Sequence, residues 1–89
     1  MITEKEKKII VYYAKKYNVS SIILFGSSLE KHKSANDIDI GVKGVNPRLF
    51  FKFYAELYKY LPKPVDLIDL SVKSLFNELV EKTGVKIYG

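Results

Sequence analysis

The 89-residue chain has no cysteine, no tryptophan and a single histidine. Without cysteine there is no disulfide framework, no thiolate metal site and no thiol nucleophile, and the composition suits a reducing compartment. His32 has no second histidine or cysteine with which to complete a zinc site, so it reads as a solvated loop residue. Long apolar runs are also missing. The longest, Ile9–Ala14, is far too short to cross a bilayer. No apolar signal-peptide core follows the charged start Thr3-Glu4-Lys5-Glu6, so a cytoplasmic protein without a membrane partner is expected. Arginine is nearly absent: Arg48 is the only one, and arginine is the usual reader of bases. The net charge of +5 favours anionic partners, but the lysines are scattered along the chain, so direct nucleic-acid binding is not expected. There is neither a G-x-x-x-x-G-K-[ST] loop nor a G-x-G-x-x-G turn.

What is present fits one small domain, residues 1–89, with 47% hydrophobic and 28% charged residues. A core is possible at this size, but burial against a partner would add stability. Thr3 and Glu6 have capping-box spacing. Ile9, Ile10, Tyr13, Ala14 and Tyr17 follow at helical spacing, which predicts a helix over 4–17, stopped at Asn18. Ser21–Phe25 reads as a buried strand ended by Gly26-Ser27, and 28–36 as polar and irregular. Asp37–Val42 is a second strand. Asn46-Pro47 opens a second helix that runs to about Leu61. Val65–Leu70 is a third strand, Ser71 caps a third helix through about Lys82 with Gly84 beyond its end, and Val85–Tyr88 is a short last strand. Alternating helices and apolar strands predict an α/β (α+β) domain, three helices packed on a small mixed sheet.

Two strands carry carboxylates where apolar residues belong. Alternation along a strand turns Ile38 and Ile40 to one face and Asp37 and Asp39 to the other. Carboxylates so close repel, and a divalent cation removes the conflict; Mg²⁺ takes one or two carboxylates and completes its shell with water and substrate phosphates. An Asp-x-Asp pair by itself is usually a solvated edge, but here the setting is apolar. In Val65-Asp66-Leu67-Ile68-Asp69, alternation separates Asp66 from Asp69. If this strand lies beside 37–42, Asp66 is the better third carboxylate because it lies inside the strand. Asp69, near the exit, is free to serve the following helix N-terminus. Gly26 permits a tight bend with close backbone approach, and free N–H groups beside the Ser27 hydroxyl suit phosphate oxygens, although Gly-Ser is also an ordinary turn.

Taken together, Gly26-Ser27, Asp37-Ile38-Asp39 and a later strand carrying Asp66 resemble the nucleotidyltransferase superfamily that includes DNA polymerase beta. The small size and the ending "ELVEKTGVKIYG" resemble its minimal nucleotidyltransferase (MNT) branch. The resemblance spans nearly the whole chain and implies a nucleotidyltransferase fold. It implies that Gly26 and Ser27 hold the triphosphate of ATP, that Asp37 and Asp39 bind two Mg²⁺ ions, and that Asp66 completes the metal site beside the nucleophile. It further implies an antitoxin that transfers AMP to a hydroxyl, by analogy a tyrosine, of a HEPN-domain ribonuclease toxin. The alternative is a catalytically weak module of the same fold that neutralises its partner by complex formation. Polymerase activity is not expected. One departure stands out. Many relatives continue Gly-Ser with Ala-Arg-Gly, whereas this chain reads Ser28-Leu29-Glu30-Lys31-His32-Lys33, leaving Lys31 or Lys33 to supply charge to phosphates as point charges.

Seven tyrosines and five phenylalanines are numerous for this length. A stacking platform for single-stranded nucleic acid is one reading; core packing is the better one for Tyr13, Tyr17, Phe53 and Tyr54, which fall at helical core spacing. Lys5, Lys7 and Lys8 read as a solvated helix face. The second helix carries apolar residues in nearly every direction, from Leu49 to Leu61. One side must meet the sheet, and the other, Phe51 and Tyr58 included, is expected to meet a partner protein or a second copy.

Overall fold

The computed structural model describes residues 2–29 and 36–89. In chain order the elements are α1 (Glu4–Lys16), β1 (Ser21–Leu24), β2 (Ile38–Lys43), α2 (Phe50–Tyr60), β3 (Val65–Asp69), α3 (Leu75–Thr83) and β4 (Val85–Tyr88). Single 3-10 turns, Gly26–Leu29 and Pro47–Leu49, follow β1 and precede α2.

The helix starts follow from local hydrogen bonding. At α1 the capping box forms: Glu6 N–H donates to Thr3 Oγ1 at 3.1 Å, and Thr3 N–H donates to Glu6 Oε1 at 2.8 Å. Asn18, at φ +54, turns the chain out of the helix. Asn46 does cap as expected, accepting from Arg48 N–H at 2.9 Å, but it caps the 3-10 turn, and α2 begins only at Phe50. The third helix corrects the sequence reading more strongly. Its N-cap is Ser74, whose hydroxyl accepts from Asn77 N–H, not Ser71. Ser71 N–H is taken by Asp69 Oδ1 at 2.9 Å, a local turn that delays the helix by three more residues. The buried Asn77 then ties α3 back to the strand exit, donating to the carbonyls of Asp69 and Val72.

The four strands pair in the order β3-β2-β1-β4. β1 runs antiparallel to both β2 and β4, and β2 runs parallel to β3. A parallel pair needs a crossover, which α2 provides. The result is a mixed sheet with three α-helices among the described residues. None of them is long and apolar enough to cross a membrane.

The main core lies on one face of the sheet, under α1 and α2. There Ile22, Leu24, Ile38, Ile40, Val42, Val65 and Leu67 meet Ile10, Ala14, Phe53 and Leu57, all buried. Each large side chain so buried contributes about 1.5–3 kcal/mol. The opposite face holds a smaller cluster in which Val80 of α3 packs on Ile23 and Leu70, with Phe25 and Ile68 at its margin. Since α3 covers only part of that face, room is left for polar residues there.

Between α1 and α2 the Tyr17 ring packs on Phe53, and Lys16 pairs with Glu56 at 3.2 Å. The Tyr17 hydroxyl and Glu56 Oε2 are buried without a hydrogen bond. Burial pushes the Tyr17 hydroxyl up to about 12, and the Glu56 carboxylate, close enough to interact though not at hydrogen-bonding geometry, adds to the rise. A folded-state value above the unfolded value of about 10 means that this stabilisation is complete below pH ~10 and disappears as pH climbs towards 12. Thermal unfolding followed from pH 9 to 12 (roughly the interval set by these values) should fall more steeply in the native chain than in Tyr17→Phe. Parallel curves would show that Tyr17 does not govern the alkaline limit.

Candidate active site

The carboxylates sit on the sheet face that α3 leaves partly open. Asp39 lies between the buried Ile38 and Ile40, so alternation places it on the face away from α1 and α2. Asp66, between Val65 and Leu67, takes the same face of the neighbouring strand. The parallel register pairs Asp39 directly with Asp66, on strands about 4.8 Å apart. Asp69 pairs with Val42 on the other side of the pleat and spends a carboxylate oxygen on Ser71 N–H. It therefore shapes the turn ahead of α3 rather than capping the helix. Asp37 differs from expectation in one respect: it lies just ahead of β2, exposed, and is not a member of the strand.

The turn after β1 closes over Asp39. Gly26 has φ +57, and a Cβ there would stand 2.7 Å from Asp39 Oδ2. Only glycine meets both conditions without strain. Ser27 occupies the next position of the same 3-10 turn.

Ser28, which the sequence reading passed over as part of an irregular stretch, is fully buried. Its Oγ accepts from Asp39 N–H at 2.7 Å and donates to the Asp39 carbonyl at 3.3 Å. The same carbonyl also accepts from Phe25 N–H at 3.2 Å. Ser28 thus clamps the main chain of the residue whose side chain faces Gly26. A third small polar residue after an apolar strand was the only sequence signal, and it acquires meaning only when β2 is laid beside β1. Ser28→Ala leaves the buried Asp39 N–H without this acceptor and should cost about 1–3 kcal/mol in urea unfolding. A change within about ±0.5 kcal/mol, the range of an ordinary surface substitution, would show that the clamp is unimportant.

Among the described residues no three metal-ligating side chains gather into a ready-made cage. The Asp39–Asp66 pair is nevertheless a hard-oxygen donor set, and the space kept open by Gly26 lies against the Asp39 carboxylate. That combination fits Mg²⁺, which needs only one or two carboxylates when phosphates complete its shell. Lys31 and Lys33, the candidates for phosphate charge, lie outside the described residues.

A turn with an obligatory glycine, an aspartate under it and a second aspartate across a parallel pair thus stand together on one face of the sheet. The family model for Polymerase beta, Nucleotidyltransferase matches residues 7–89, and the chain belongs to that family. Solved structures agree in fold. A toxin–antitoxin structure with AMP-PNP is 26% identical at a TM-score of 0.76, over 93% of this chain and 73% of that one. The complex of tri-AMPylated Shewanella oneidensis HEPN toxin with MNT antitoxin is 23% identical at 0.75, over 99% and 73%. The toxin–antitoxin MntA–HepT is 22% identical at 0.74, over 98% and 73%. No curated protein matches the chain.

Proposed function

We propose that the protein is a Mg²⁺-dependent nucleotidyltransferase that moves AMP from ATP to a hydroxyl, most simply a tyrosine, of a HEPN-domain toxin, and so acts as its antitoxin. The observation that carries this reading is the Asp39–Asp66 pairing beneath the Gly26 turn. The likeness to a toxin–antitoxin structure with AMP-PNP and to an MNT–HEPN complex with an AMPylated toxin supports it.

Asp39 and Asp66, with Asp37 at the entry to β2, would hold magnesium, which when bound supplies positive charge to the phosphates. Gly26 admits the triphosphate to the backbone, and Ser27 offers it an N–H and a hydroxyl. Ser28 fixes the Asp39 main chain, so its carboxylate is set before substrate arrives. The acceptor oxygen forms a bond to the α-phosphorus, the bond from that phosphorus to the α,β-bridging oxygen breaks, and pyrophosphate leaves with the electron pair. The hydroxyl proton passes to a carboxylate of the site, a role we assign to Asp66.

The rings of Phe51, Phe50, Tyr54 and Tyr58 form a connected series along α2, with successive centroids 5.4, 6.2 and 6.4 Å apart. Its two ends are exposed, Phe51 by 80% and Tyr58 by 54%. This outward aromatic face favours a protein partner held there. It also keeps open the second reading, neutralisation by complex formation alone. Incubation with a HEPN-domain partner, ATP and Mg²⁺, followed by intact-mass spectrometry, tests the enzyme. The expected result is a mass gain of AMP units on the partner with native protein and none with Asp66→Ala. An unmodified partner in a stable complex would leave the binding module.

A further inference from the structure

Lysines that look scattered along the sequence are gathered by α1. Lys5, Lys8, Tyr12 and Lys15 recur at helical spacing and share one stripe. Beside it stands Tyr60 from the end of α2, its ring stacked on Tyr13 at 5.5 Å and 16°, while Tyr12 meets Tyr13 edge-on at 4.9 Å. Tyr13 is buried, but Tyr12 is 61% and Tyr60 50% exposed. Two of the tyrosines assigned to neither core nor catalysis thus stand on one surface, each against Tyr13. Lys59 Nζ stands over the Tyr60 ring, 5.3 Å from its centroid.

The relief of this surface is continuous. A shallow hollow of about 340 Å³ lies between Lys5, Lys8, Tyr12 and Tyr60. A second shares Lys8 and Tyr12 and extends to Lys7 and Lys15, and a third shares Lys5 and Tyr60 and extends to Lys59. Among the described residues, the only acidic ones along these hollows are Glu4 and Glu6. Glu6 is buried, occupied by the helix cap and paired with Lys63 at 3.6 Å. The track therefore has cations on both flanks and two half-exposed rings between them, on the side of the sheet away from Asp39 and Asp66.

We propose that this track binds single-stranded nucleic acid, with one base on Tyr12, a second on Tyr60 as Lys59 moves from over that ring to a phosphate, and further phosphates on Lys5, Lys8 and Lys15. An acidic protein would use the lysines but has no need of two outward rings. Double-stranded nucleic acid hides the faces on which these rings would stack. The chemistry, stacking plus backbone charge with few hydrogen-bond readers, predicts weak dependence on base sequence and strong dependence on salt.

The test is fluorescence anisotropy of the full chain with labelled oligouridylate and oligothymidylate of about ten nucleotides, a length within the span of one small binding domain. Saturable binding of either polymer at low salt is expected. Tyr12→Ala should weaken it about 5-fold or more, and Tyr12→Phe, which keeps the ring, should restore it. Lys5→Ala with Lys8→Ala should lower the salt slope by about 1.4, or roughly 0.7 for each phosphate that a lysine no longer neutralises. The same charge change at Lys73 and Lys86, exposed and off the track, should leave the slope unchanged. Tyr12 and these lysines are exposed, so the variants should stay folded, which circular dichroism checks. The proposal is overturned if neither polymer binds, if Tyr12→Ala binds as tightly as the native chain, or if the two lysine pairs behave alike. Displacement of the oligonucleotide by polyglutamate at equal concentration, with no effect of Tyr12→Ala, would mean a general polyanion surface and would also overturn it.

Discussion

Asp39→Asn should give a folded protein that has lost AMP transfer. The reason lies in how Asp39 is held. Its main chain is fixed by the Ser28 hydroxyl and by Phe25 N–H, through backbone atoms that asparagine also has. Asparagine keeps the size of the side chain and all of those bonds, so the β1–β2 pairing and the core beneath it should survive. What disappears is a negative charge at the point where Gly26 makes room and where Asp66 faces it across the parallel pair. Removing one fixed electrostatic partner of a transition state typically costs about 10²–10³-fold in rate. A loss of that size, read as AMP incorporated per minute by mass spectrometry in a variant whose circular dichroism shows the native fold, is the expected outcome. Full transfer would show that the chemistry lies elsewhere. If the variant transfers nothing yet still silences its partner completely, silencing comes from complex formation and not from AMP.

The converse is expected on α2. Phe51→Ser with Tyr58→Ser should leave the fold and ATP binding intact while breaking the complex with the HEPN-domain partner. Both rings project away from the buried Phe53 and Leu57, so the core does not depend on them. Exposed substitutions of this kind usually change stability by no more than about 0.5 kcal/mol. A central aromatic anchor of an interface, in contrast, contributes about 2 kcal/mol or more, so the pair should lower affinity by at least ~10²–10³-fold if both are anchors. Transfer should fall with it, because proximity to the acceptor hydroxyl is what the complex supplies. Calorimetric titration decides the matter. A complex of native affinity would mean that the aromatic series is only a solvent-facing edge. Paired with Asp39→Asn, the result separates recognition from chemistry: one variant binds without transferring, the other retains the site but not the target.

Much of this arrangement is legible in the amino-acid sequence, and for local reasons. Thr3 and Glu6 mark the start of α1 because a capping box is complete within four residues. Ser21–Phe25 and Val65–Leu70 read as strands because short, mostly apolar runs there are bounded by turn residues. Asp39 and Asp66 stand out because carboxylates are costly inside such strands unless they have a purpose, and Gly26 because it ends an apolar run with a tight bend. Besides Asp37, which falls just ahead of β2, two local readings fail by a few residues. Ser71 gives way to Ser74 because Asp69 captures the Ser71 N–H, and Asn46 caps a 3-10 turn before the helix proper.

What only the tertiary structure decided is everything that depends on register and on which faces meet. The parallel pairing of β2 with β3 joins positions 27 residues apart in sequence, 39 and 66. A shift of one residue would have put Asp66 in the core and Leu67 beside Asp39. Ser28 became a clamp because β1 and β2 are antiparallel neighbours, a relation that no property of a serine announces. The same holds for Tyr12 and Tyr60, which α1 and α2 bring to one surface although 48 positions separate 12 from 60. Periodicity and capping act over a few residues, so sequence alone determined the elements and the residues that demand explanation. Pairing across the sheet and packing between helices arise from burial of the whole chain at once, and they determined which of those residues stand together.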